Sequence, residues 1–152
     1  MMEVTGTVNS ILATKGSDIW SIPPDATVFE AIHLMAEKNV GALPVVQNDQ
    51  LVGIISERDY TRKVILQGKS SKDTPVRDIM TQRLVTADPD DRVSECMQRI
   101  TENRVRHLPI LQGNKMVGIL SIGDLLAWLI AAQRNTIDNL ERYVTGDFPS
   151  GY

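Results

Sequence analysis

Apolar positions along the chain change period in a fixed order, and the order occurs twice. Val28, Ala31, Ile32, Met35 and Ala36 recur at helical spacing and give a helix one apolar face. Leu43–Val46 and Leu51–Ser56 then form two short β-rich runs, with turn chemistry at Asn48-Asp49 between them. A second helix is expected from Glu57 to about Gln67. Ahead of all these, Asp18–Ile22 reads as a short strand ended by Pro23-Pro24, with Asp25 at the N-cap of the first helix. The second pass has a strand at Leu84–Ala87 and a turn and cap at Asp88-Pro89-Asp90-Asp91. Its helical stripe is Val93, Cys96, Met97 and Ile100. Strands at Leu108–Leu111 and Lys115–Ser121 meet at Gly113-Asn114, and a helix starts near Ile122.

The two passes are in register 65 positions apart. Leu43-Pro44-Val45-Val46 is echoed by Leu108-Pro109-Ile110-Leu111, Val52-Gly53-Ile54-Ile55-Ser56 by Val117-Gly118-Ile119-Leu120-Ser121, and Asp59 by Asp124. A helix-like piece precedes each copy, Val8–Leu12 and Val76–Met80, at an offset of 68. A duplicated β-α-β-β-α half folds as one pseudo-symmetric α/β (or α+β) unit and builds its sites between the copies. The expected division is repeat one at 8–67, a polar, helix-poor linker at 68–75, repeat two at 76–132 and a helical extension and tail at 133–152. In that extension Trp128, Ile137, Leu140 and Val144 continue an apolar stripe, which either docks another subunit or packs back on its own domain.

Composition narrows the class. A chain of 152 residues, 42% hydrophobic and 23% charged, is an ordinary globular domain. The net charge of −3 with no block of like charges argues against a sequence-independent nucleic-acid binder, which needs a basic face. A single cysteine, Cys96, excludes an intramolecular disulfide framework and suggests a reducing compartment. The first residues show neither a charged n-region nor an apolar h-region, and no run approaches a membrane span, so the chain reads as cytoplasmic.

Ser56 and Ser121 stand where a strand runs into a helix N-terminus, a place suited to an anion and equally to a helix cap. Asp59 and Asp124, three residues on, compensate the helix dipole at the least. Gly53 and Gly118 lie mid-strand, where a missing side chain signals close approach of a ligand or of another backbone. His33 has no partner His, Cys or acid cluster in the sequence, so a metal site is not expected, and Cys96 reads as a buried, inert thiol. No nucleophile–base pair, phosphate loop or paired catalytic carboxylates emerge, so no catalytic residue is expected.

The two copies of Gly-x-x-Ser-x-x-Asp, Gly53–Asp59 and Gly118–Asp124, together with Arg104-Val105-Arg106-His107-Leu108-Pro109, resemble the CBS-domain pair, also called the Bateman module. The resemblance spans about Val8 to Ile130 and looks most like the small stand-alone members. It implies that Asp59 and Asp124 take ribose hydroxyls and that Ser56, Arg58, Ser121, Arg106 and His107 face ribose or phosphate. It also implies two adenine slots, one lined by Ile22, Val40, Ala42 and Pro44, the other by Val85, Thr86, Val105, His107 and Pro109, although these residues serve equally well as core. Arg62, Lys63 and Arg104 are further basic residues near these positions, and a solvated helix face accounts for Lys63 and Arg104 equally well. The implied function is a non-catalytic sensor of an adenine nucleotide (AMP, ADP, ATP or NAD(H)). The implied assembly is a homodimer, a flat disc of four repeats, acting on a separate protein. The alternative is a dimeric scaffold or inhibitor with vestigial clefts; an RNA-binding role is disfavoured by the charge.

Overall fold

The computed structural model describes residues 6–16 and 18–145. Helix α1 (Val8–Lys15) leads, followed by α2 (Val28–Lys38), β1 (Ala42–Gln47), β2 (Gln50–Ser56) and α3 (Glu57–Tyr60). The second copy comprises α4 (Val93–Asn103), β3 (His107–Gln112), β4 (Lys115–Ser121) and α5 (Ile122–Thr145). β1 pairs with β2 and β3 with β4, both antiparallel, with Leu43 opposite Ile55 and Leu108 opposite Leu120. The first hairpin turns at Asn48 and Asp49, both at positive φ (53° and 62°), as a tight type I′ turn requires.

Several expectations are corrected. The strands expected at 18–22 and 84–87 shrink to single parallel bridges, Ile22 to Val45 and Ala87 to Ile110. Ile22 donates to the Pro44 carbonyl and receives Val46 N–H, and Ala87 does the same with Pro109 and Leu111. Pro23 and Pro24 then offer no N–H to continue the first ladder, and Asp88-Pro89 turns the chain away from the second. The cap of α2 is Thr27, not Asp25: Thr27 Oγ1 accepts Glu30 N–H while the Glu30 carboxylate accepts Thr27 N–H. Asp25 instead pairs with Arg77. The helix expected from Glu57 to Gln67 is one α turn followed by a π-helical stretch, Thr61–Ile65.

The least expected feature is an exchange of segments. Val8 and Ile11 of α1 lie in the core of the second copy, with Val93, Cys96, Ile100, Leu108, Ile110, Leu120 and Leu125. Val76 and Ile79, which precede the second copy in the chain, lie in the core of the first, with Val28, Ala31, Met35, Leu43, Val45, Ile55 and Val64. Backbone bonds seal the exchange: Val8 N–H donates to the Asp91 carbonyl and Val76 N–H to that of Ala26. The mid-strand glycines are what let these segments sit close. A Cβ on Gly53 would come within 2.7 Å of Met80 Sδ and 3.1 Å of the Thr81 carbonyl, and one on Gly118 within 2.8 Å of Leu12 Cδ2. The close approach inferred for both glycines is therefore to protein, from equivalent segments.

Cys96 is fully buried, and burial pushes its thiol up to about 11. α5 runs on beyond its anchor at Leu125 and leaves Ile122, Leu126, Ile130, Ile137 and Leu140 exposed. The side chain of Val144 and residues 146–152 lie outside the described residues. Among the described residues no helix is long and apolar enough to cross a membrane, and no group of three or more His, Cys, Asp or Glu could hold a metal ion.

Candidate functional site

Each β-hairpin delivers a serine to the start of a helix. Ser56 closes β2 and caps α3, its Oγ accepting Asp59 N–H, while Asp59 Oδ2 accepts Ser56 N–H at 3.0 Å. Ser121 and Asp124 repeat the arrangement at the start of α5, at 3.1 and 2.8 Å. Both Ser-x-x-Asp motifs are thus reciprocal helix caps, and this local chemistry fixes where each carboxylate stands.

The pseudo-symmetry of the two copies yields two unequal clefts. The larger has a volume of about 360 Å³. It combines Gly41, Ile54, Ser56, Glu57, Arg58 and Asp59 of the first copy with Arg104, Val105, Arg106, His107 and Pro109 of the second; Thr81, Arg83, Leu84 and Val85 complete the wall. The smaller, about 170 Å³, lies between Val40, Ala42 and Pro44 on one side and Lys15, Gly16, Asp18, Trp20 and Ile119 on the other. Small-molecule sites are usually 300 Å³ or more, so only the first has a ligand's dimensions.

Of the residues singled out in the sequence, Ser56, Arg58, Asp59, Val85, Val105, Arg106, His107 and Pro109 meet in the larger cleft. Val40, Ala42 and Pro44 line the smaller one. Four belong to neither wall. Ile22 is a core residue of the first copy, drawn inward by its bridge to Val45. Thr86 offers its carbonyl to Arg99 Nη1 at 3.2 Å. Ser121 is engaged in the cap of α5, and Asp124 is held there and by Lys15.

The larger cleft is lopsided in charge. Arg58, Arg83, Arg104 and Arg106 surround it, against Glu57 and Asp59. Among the described residues Arg58, Arg104 and Arg106 make no ion pair, and Arg83 has only a long hydrogen bond, 3.5 Å, to Asn103. Arg104 also ends α4 in the left-handed region (φ 54°), where the first copy uses the more tolerant Asn39 (φ 55°). Burial holds the His107 imidazole below its ordinary range; the positive charges of Lys15 and Arg106 reinforce this and Asp124 opposes it. At neutral pH His107 therefore offers one donor and one acceptor rather than a charge.

Asp59 is buried and well supplied with donors. Its Oδ1 takes Lys63 Nζ at 2.9 Å and the Thr81 hydroxyl at 3.2 Å, beside the Ser56 contacts to Oδ2. A pair of ribose hydroxyls reaching this carboxylate would exchange with Lys63 or Thr81. Arg62, expected near the cleft, is exposed and lines neither wall, while Lys63 is held between Asp59 and the Ile79 carbonyl. Sequence reasoning missed Thr81, Arg83 and Lys15. The offset that aligns Val8–Leu12 with Val76–Met80, carried three positions further, pairs Lys15 with Arg83 and would have flagged both.

Comparison with known proteins agrees with this architecture. The chain is 40% identical over 152 aligned residues to the mitochondrial CBS domain-containing protein CBSX3 of Arabidopsis thaliana, covering 93% of this chain and 73% of that one. A structure of a proposed signal-transduction protein with CBS domains from Burkholderia ambifaria superposes with a TM-score of 0.81 at 47% identity, over 84% of this chain and 96% of the other. The hexameric CBS-CP12 protein from bloom-forming cyanobacteria matches with a TM-score of 0.73 at 28% identity, over 82% of this chain and 72% of that one. The CBS domain model matches twice, at residues 8–65 and 76–131. The chain therefore belongs to the CBS-domain family, whose paired repeats are regulatory, ligand-binding modules.

Proposed function

We propose that the protein is a non-catalytic regulator that binds an adenine nucleotide (AMP, ADP, ATP or NAD(H)) in its larger cleft. The observation that carries this reading is the cluster of four guanidinium groups, none of them in an ion pair among the described residues, on the rim of a cleft with apolar walls and a carboxylate. Planar guanidinium forks suit phosphate oxygens. Val85, Val105 and Pro109 supply flat apolar surface for a base, and Asp59 with Ser56 supplies the polar end for a ribose. Bound ligand would bridge the two copies, so it would favour whichever relative arrangement closes the cleft, in proportion to its differential affinity. A separate regulated protein would read that change.

The test is thermal unfolding with AMP, ATP, NAD and NADH at about 1 mM. A ligand at about 100 times its dissociation constant adds about 2.7 kcal/mol, roughly 5–10 °C for a domain of this size. No shift with any of them would replace the sensor reading with that of a ligand-independent scaffold.

A second copy of the chain is the occupant proposed for α5. Ile122, Leu126 and Ile130 succeed one another at four-residue spacing, and Ile137 and Leu140 extend the exposed series along the same helix. The cyanobacterial CBS-CP12 relative is itself an oligomer. The double substitution Leu126→Glu and Ile130→Glu is expected to convert a dimer to a monomer in light scattering; a wild-type chain already monomeric at 100 μM would refute the dimer.

A further inference from the structure

The two clefts differ most in the path of the chain just after the equivalent residues Leu12 and Met80. After Met80 the chain is extended, and Thr81 pairs its backbone with Ile54, donating to the Ile54 carbonyl at 2.8 Å and accepting Ile54 N–H at 3.0 Å. After Leu12 the chain stays helical to Lys15 and stops at Gly16, whose φ of 94° disfavours any side chain. The carbonyl of Ile119, the counterpart of Ile54, therefore meets no backbone partner from this segment. It receives Lys15 Nζ at 2.7 Å. The same ammonium lies 2.6 Å from Asp124 Oδ2.

Lys15 is an exposed residue, but its place is fixed. α1 is docked by Val8 and Ile11 in the second core and by Leu12 over Gly118, so Lys15, one turn beyond Ile11, is delivered to this spot by packing. Burial would raise the Asp124 carboxyl, but the hydrogen bonds from Lys15 and Ser121 outweigh it and hold the group below its usual range. Asp59 also holds a lysine, but Lys63 does not line the larger cleft, whereas Lys15, the partner of Asp124, stands in the wall of the smaller one. The small volume of this cleft and the replacement of Arg58, Arg104 and Arg106 by Gly123, Asn39 and Gly41 point the same way.

Resting on the nucleotide reading above, we propose that Lys15 closes the second cleft, standing where a nucleoside ribose would meet Asp124, so that each chain takes one ligand and not two. Lys15 is then the residue that sets the stoichiometry of the module. Its removal uncovers a site with a base slot (Val40, Ala42, Pro44) and a free carboxylate but no guanidinium, and that site takes an uncharged nucleoside.

Calorimetric titration with adenosine tests this, because adenosine needs only the base and ribose contacts that both clefts share. Wild-type protein is expected to bind one adenosine per chain. Lys15→Met, which keeps the apolar stem of the side chain, is expected to bind two. Gly118→Ala, which pushes Leu12 and with it α1 outward, is expected to raise the stoichiometry above one by the same route. Two sites in the wild type, or one site in all three proteins, overturns the closure and leaves the nucleotide reading standing. No heat with adenosine or with ATP in any of them overturns both.

Discussion

Replacing Arg58 and Arg106 together by alanine is expected to weaken ATP binding by at least about a hundredfold while changing adenosine affinity by less than about threefold. Hydrogen bonds to charged groups contribute about 1.5–3 kcal/mol each. Both guanidinium groups are exposed, so screening by water and salt places them at the lower end of that range. Two such contacts still amount to about a hundredfold. The pair comes from opposite copies, one from the start of α3 and one from the residue before β3, so a phosphate held by both would tie the copies together. Neither arginine makes an ion pair among the described residues, so the unfolding midpoint without nucleotide is expected to stay within about 1 °C of wild type. Equal losses of ATP and adenosine binding would show that the two arginines shape the cleft rather than contact phosphate.

Truncation of Leu43 or of its counterpart Leu108 to alanine is expected to destabilise the fold by about 3 kcal/mol. Both side chains are fully buried, each at the centre of a different core, and neither has an exposed flank through which the cavity could collapse. For a chain of this length that is a fall in midpoint of roughly 6–12 °C. The more telling expectation is the shape of the transition. Because α1 completes the core of the second copy and Val76–Ile79 that of the first, loosening either core exposes a segment covalently tied to the other. Each variant should therefore unfold in one cooperative step, with fluorescence and circular dichroism coincident. Two separated transitions in Leu108→Ala would mean that the exchanged segments do not couple the cores.

The repeated strand pairs were legible because their signals are local: apolar alternation, Asn-Asp or Gly-Asn between the strands, and a Ser-x-x-Asp cap at the end. The residues of the larger cleft were legible for a related reason. Arg58 and Asp59 come directly after Ser56, and Arg106 and His107 precede Leu108, so their places are fixed by elements already identified. The places of Thr86 and Ile22 were not legible, because a residue beside a strand can face the cleft, the core or a neighbour such as Arg99, and spacing does not choose. Asp25 and Thr27 are both capping residues, two positions apart, and their spacing does not choose between them. The reciprocal bond from Glu30 and the attraction of Arg77 for Asp25 decide between them. The destination of α1 left no local trace at all. Val8, Ile11 and Leu12 fit either of two similar cores, and their spacing does not say which. The pairing of Lys15 with Asp124, 109 positions away, results from that destination and is equally silent in the sequence.

The exchange of segments also bears on how such a module can arise. A single repeat, cut loose, carries the segment its sister needs and lacks the one it needs itself; its own core would stay open beside β1 or β3. Two free copies could cure this only by associating and trading their leading segments, at a concentration set by the cell. Joining them through residues 68–75 makes the trade intramolecular, at an effective concentration in the millimolar range for a short tether. Within one chain the trade cannot be undone by dilution, and the two leading segments need not be identical: one runs on as an extended Thr81, the other as a helical Lys15.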